Sequence, residues 1–77
     1  MNKMRRKQLA EIQDKLAEIR DMIDSVLSDE QEAFDNLPES LQDGERGEAM
    51  QAAIDAMESA MDSCEEAESS IEEAQEQ

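Results

Sequence analysis

LAEIQDKLAEI, residues 9–19, states one four-residue phrase twice, seven positions apart. Its apolar members continue along the chain as Leu9, Ile12, Leu16, Ile19, Ile23 and Val26, in steps of 3, 4, 3, 4 and 3. That alternation keeps one side of an α-helix apolar, whereas a half-buried strand needs strict alternation of apolar and polar residues. The other side carries Glu11, Gln13, Asp14, Lys15, Glu18, Asp21 and Asp24, which suits water. The segment therefore predicts a coiled-coil-like helix with Leu9 to Val26 as its contact stripe.

The same spacing returns in the second half with smaller side chains. Met50, Ala53, Met57, Ala60, Cys64, Ala67, Ile71 and Ala74 follow steps of 3, 4, 3, 4, 3, 4 and 3, and Ile54 and Met61 widen the stripe. From Ala49 to Gln77 there is no proline or glycine, and strong helix formers dominate. Between the halves lies DEQEAFDNLPESLQDGERGEAM, residues 29–50, which holds the only proline, Pro38, and the only glycines, Gly44 and Gly47. Such punctuation marks a chain reversal. The expected boundaries are helix one at about 3–35, a connector at about 36–43 with a proline-started turn at about 37–42, and helix two at about 44–75, N-capped by Asp43. Ser28 with Gln31 also fits a capping box, which would break helix one near Ser28.

A short connection makes consecutive helices antiparallel neighbours. The expected fold class is all-α, an antiparallel helical hairpin in a single domain. Two helices bury one seam, and Met22, Val26, Leu27, Ile54 and Met61 are expected beside it rather than within it. A chain of 77 residues with one cysteine and no histidine has neither a disulfide nor a zinc site to staple it. Oligomerisation remains, so two hairpins are expected to dimerise into a four-helix bundle.

Net charge is −15, from 22 acidic and 7 basic residues, and Phe34 is the sole aromatic. Residues 1–20 carry a net +3, which leaves −18 on the remaining 57. Folding back is expected to bring Lys3, Arg5, Arg6 and Lys7 beside Glu68, Glu72, Glu73 and Glu76. The acidic body is repelled by nucleic acid and anionic membranes and attracted to basic protein surfaces. No apolar run reaches membrane-spanning length, and polar residues interrupt the basic N-terminus before a signal-peptide core can form. These features, with a lone cysteine, point to the cytoplasm.

Enzymatic chemistry has no evident carrier. There is no histidine to act as base and no glycine-rich phosphate loop, and Cys64 sits at a seam position without a nearby cation to activate it. No cofactor or metal is expected: Glu-x-x-His pairs are impossible, and the alternation Asp29, Gln31, Ala33, Asp35 departs from a calcium loop at Asn36 and Leu37. Phe34 is expected to close the hairpin end with Leu37 and Leu41, and as the sole aromatic it is also a candidate apolar anchor for a partner.

The acid content exceeds what solubility asks of a small domain, about 2–8 net charges. A helix of about 33 residues is roughly 50 Å long. A dimer would spread −30 along it, about one charge per 1.7 Å, the density of duplex DNA. The candidate partner-binding residues are Asp55, Glu58, Asp62, Glu65, Glu66, Glu68, Glu72 and Glu73, directed at a basic surface of a nucleic-acid-binding or defence protein. The rival expectation is a structural module that oligomerises through its apolar stripes.

Residues 29–57, and Phe34-Asp35-Asn36-Leu37-Pro38-Glu39-Ser40-Leu41 above all, resemble small acidic helical proteins of phages and prophages of Gram-positive bacteria. The resemblance implies a phage context and a bacterial host cell rather than an activity. Small acidic phage proteins that imitate DNA form a recurrent class of inhibitors, similar to this chain in size and charge.

Overall fold

The computed structural model describes residues 1–77, which form α1 (Lys3–Asp35), α2 (Glu39–Gln42) and α3 (Glu45–Gln75). Asn2 caps α1, its Oδ1 accepting the Arg5 N–H at 2.8 Å. The helix runs unbroken through Ser28. Within the connector the expected turn is one turn of helix, with the Leu41 and Gln42 N–H groups donating to the Pro38 carbonyl. That turn extends to Gln42 and makes Asp43 its C-cap. Asp43 is therefore not the N-cap expected for the second long helix. Extended Gly44 takes that position, without a side-chain cap.

α1 and α3 lie antiparallel in a rod whose Cα extents are 58 × 15 × 11 Å. Two contacts fix their register: Gln75 Nε2 donates to Gln13 Oε1 at 2.7 Å, and Arg20 Nη1 donates to Glu68 Oε2 at 3.1 Å. These pairs stand seven residues apart on both helices. The same register one and two heptads further sets Leu27 opposite Met61 and Phe34 opposite Ile54. Between these levels Leu16 stands opposite Ile71 and Ile23 opposite Cys64.

The seam is thus rotated from the stripe expected on the first helix. Leu9, Leu16 and Ile23 are partly buried, but Ile12, Ile19 and Val26 are 45, 46 and 58% exposed, while Gln13 and Arg20 turn inward. On α3 the seam's axis passes through Ile54, Met61, Glu68 and Gln75, with the alanine row on its flank. Ile54, expected beside the seam, is its centre at 1% exposure, and Leu27 and Met61 are also partly buried. Met22 lies outside at 67% exposure, as expected. The rotation follows from partner choice. Gln13 and Arg20 meet Gln75 and Glu68, so both polar pairs are satisfied inside the seam at the cost of leaving three branched side chains outside.

The connector end is closed by Gln42. Its Nε2 donates to the Phe34 and Leu37 carbonyls at 3.2 and 3.1 Å, satisfying acceptors that a helix C-terminus leaves free. Phe34 and Leu37 are partly buried; Leu41, expected with them, is 44% exposed because α2 turns it outward. Gly47 is buried where the Gln42 backbone crosses α3.

Lys3, Arg5, Arg6 and Lys7 do lie at the same end of the rod as the acidic C-terminus, but none forms an ion pair there. Arg6 Nη2 and the Met1 ammonium each donate to the Gln77 oxygen at 3.2 Å. Ion pairing is confined to Arg20, which reaches Glu68 at 3.1 Å and Glu65 at 3.8 Å.

Glu68 is only 15% exposed at its side chain, and Arg20 is the partner that meets it there. Arg20→Leu should cost about 1–2 kcal/mol, the lower part of the range for stranding a buried acceptor, read as a lower urea midpoint. Adding Glu68→Leu makes the layer apolar and should restore or exceed the original stability. A single substitution without effect would mean that the pair contributes nothing to the seam.

Candidate functional site

The long sides of the rod differ in chemistry, and the 3-4 spacing of α3 explains why. With its seam axis on Ile54, Met61, Glu68 and Gln75, one flank carries Gln51, Glu58, Glu65 and Glu72, and the opposite flank carries Ala53, Ala60, Ala67 and Ala74. Asp55, Asp62, Glu66 and Glu73 continue the acidic flank around the outside of the helix.

Seven of the eight candidate acidic residues are therefore brought together: Asp55, Glu58, Asp62, Glu65, Glu66, Glu72 and Glu73 are all exposed on α3. Their strip is about 27 Å long at 1.5 Å per residue. Glu68 does not join it, because its side chain is drawn into the seam by Arg20. A shallow depression in the strip is lined by Asp62, Glu65, Glu66, Ser69 and Ser70, so two hydroxyls can donate between three carboxylates. Phe34 stands at the connector end, partly buried, at the level where this strip begins.

The opposite side holds an open apolar groove of about 420 Å³, lined by Ile19, Met22, Ile23, Val26, Ala56, Met57 and Ala60. The face around it runs along α1 from Arg5 to Ala33 and along α3 from Arg46 to Ala74. Asp29 and Glu30 are among its positions and Glu11 stands at its edge beside Ile12 and Lys15, three carboxylates against Arg5, Lys15 and Arg46. A reading that assigns the most apolar stripe to the hairpin seam misses this groove. The signal was present in Met22 and Ala56, which lie off both expected stripes and on one side of the fold.

Cys64 is free and partly buried at the seam. No group of three or more His, Cys, Asp or Glu side chains is arranged to hold a metal ion. The Asp29–Asp35 segment is straight helix, not a cation-binding loop. No helix is long and apolar enough to cross a membrane. Comparison with protein-family models, curated proteins and solved structures finds no match to the chain.

Proposed function

We propose that the chain is a non-enzymatic acidic binding protein, a phage-encoded inhibitor or modulator that occupies a basic surface of a host nucleic-acid-handling or defence protein by imitating DNA. The observation that supports this reading best is the segregation of charge. Seven exposed carboxylates follow one helix without an intervening cation, and only Glu65 among them meets a base, at 3.8 Å. The carboxylates stand on continuous helices, so a partner meets them pre-arranged and little backbone order is lost on binding.

On this reading the chain works as a homodimer, two hairpins in a four-helix bundle, in the cytoplasm of the bacterial host. Two copies place −30 on a rod of 58 Å, about one charge per 1.9 Å, beside about 1.7 Å for duplex DNA. Like charge keeps the protein itself off nucleic acid. It needs no cofactor.

Immobilised protein, challenged with host lysate and eluted along a salt gradient, should release a basic nucleic-acid-binding protein at moderate salt, and added duplex DNA should displace it. Reversing Asp62, Glu65, Glu66, Glu72 and Glu73 to lysine together should weaken that binding by about 100-fold or more while circular dichroism shows unchanged helix. Retention that survives either high salt or the five reversals would sink the reading.

The open groove supports a second reading, a structural module that oligomerises through its apolar surfaces. That reading expects Leu16→Asp or Met57→Asp to abolish function and salt to matter little.

A further inference from the structure

The apolar groove lies open along one side of the rod, and two properties of that side decide what covers it. The first is shape. Ile12, Ile19, Met22 and Val26 form a bulky, exposed row on α1, and the parallel row on α3 is alanine. A ridge beside a trough is a surface that a rotated copy of itself fills.

The second property is charge. Two chains of net charge −15 repel wherever their carboxylates meet. Here the carboxylates Glu11, Asp29 and Glu30 are balanced by Arg5, Lys15 and Arg46, which make no ion pair within the hairpin, so this face is near neutral where the rest of the rod is acidic. Electrostatics therefore permits self-association on this side. The need for it is plain from the interior, since Ile54 is the one buried apolar side chain in 77 residues, less core than a chain of this size requires.

We infer that a second copy of the chain covers this face, related by a two-fold axis parallel to the rod. The residue before each member of a seam pair lies on the open flank, so Ile12, Ile19 and Val26 stand within about 3 Å, measured along the rod, of Ala74, Ala67 and Ala60. Rotation about the parallel axis preserves these levels and lays each α1 on the partner's α3. Ile12, Ile19 and Val26 of one copy then meet the alanines of the other. An axis across the rod would instead set α1 on the partner's α1, bulk on bulk, with a gap between the alanine rows. The parallel axis also makes all four neighbouring helix pairs antiparallel and brings Arg5 and Lys15 over the acidic C-terminal end of the partner's α3. The strips from Asp55 to Glu73 remain outside on both copies. The inference deepens the dimer of the preceding section and rests on it for stoichiometry alone, because no step depends on a target binding the acidic strip.

Sedimentation equilibrium should give twice the chain mass of 8.7 kDa for the unsubstituted protein. Ile19→Asp and, separately, Met22→Lys should reduce it to the mass of one chain, since both side chains are already exposed in the hairpin. In a Cys64→Ser background, Ile19→Cys copies mixed with Ala67→Cys copies should form a disulfide-linked dimer that neither forms alone. Cross-linking reads the contact in chains that keep the apolar face, so it decides even where the charged variants lose helix. Cross-linking by Ile19→Cys alone would overturn the axis. A dimer indifferent to both charged substitutions would overturn the face and leave the dimer standing. A monomeric unsubstituted protein would overturn both and leave the groove to a helix of another protein.

Discussion

Ile54→Ala is expected to destabilise the protein by about 2–5 kcal/mol, the range for removing a fully buried branched side chain. A domain of this length has a total stability of only about 4–12 kcal/mol at 0.05–0.15 kcal/mol per residue. The substitution is therefore expected to leave a large unfolded fraction. Two terms combine: lost transfer of the side chain from water, and a cavity at the level of Phe34 that neither long helix can collapse into without breaking register. Urea titration followed at 222 nm, at one fixed protein concentration because association shifts apparent stability, gives the value. Met4→Ala is the control, since Met4 is 65% exposed and should cost little. Equal losses for the two would show that Ile54 is not the centre of the seam.

Gly47→Ala should also destabilise, against the usual direction for a helix. Inside an exposed helix, glycine to alanine gains about 1 kcal/mol. Here a Cβ would stand 1.9 Å from the Gln42 carbonyl oxygen and 2.4 and 2.6 Å from that residue's carbonyl carbon and Cα. These are backbone atoms, which cannot rotate aside. α2 has to lift off α3, and Gln42 then loses its bonds to the Phe34 and Leu37 carbonyls. The expected net loss is about 2–3 kcal/mol, the upper part of the range for overpacking. Gly44→Ser is the paired control. A Cβ there meets nothing closer than 3.7 Å, and serine at an N-cap should be neutral or mildly stabilising. Stabilisation by Gly47→Ala would mean that α2 does not rest on α3 in solution.

The helical hairpin was legible from two 3-4 repeats and one cluster of turn residues. Those signals are local, and each helix forms largely on its own side-chain pattern. Less legible was the rotation of each helix about its axis. Hydrophobicity chose Ile12, Ile19 and Val26 because they are apolar at the right spacing, but a seam is selected by pairs. Gln13 and Arg20 look like surface residues until Gln75 and Glu68 are set opposite them, and the register that does so is a property of both helices together. Ile54 was misplaced for the same reason: its neighbour Ala53 fits the 3-4 pattern equally well, and only Phe34 across the seam distinguishes them. The acidic strip suffered least, because a row of glutamates on one flank stays there under a small rotation. Glu68 was lost from it because it stands on the seam axis, where Arg20 reaches it at 3.1 Å, whereas Glu65, 3.8 Å from the same guanidinium, stays exposed on the flank.

The order of layers along the seam also gives the hairpin a direction in time. Phe34 and Ile54 are separated by a short stretch of chain, Leu27 and Met61 by a longer one, and Gln13 and Gln75 by nearly the whole sequence. Loop closure is cheapest for the first pair, which is also the driest level, and each later level closes against a helix pair already aligned. Folding should therefore zip from the connector toward the chain ends, and opening should run in reverse. The polar levels at Arg20 and Gln13 close on either side of Leu16 and Ile71, so each checks a register that the apolar level before it has set. Backbone amides should accordingly exchange with solvent slowly around Ile54 and progressively faster toward Met1 and Gln77, making the molecule rigid at one end and frayed at the other.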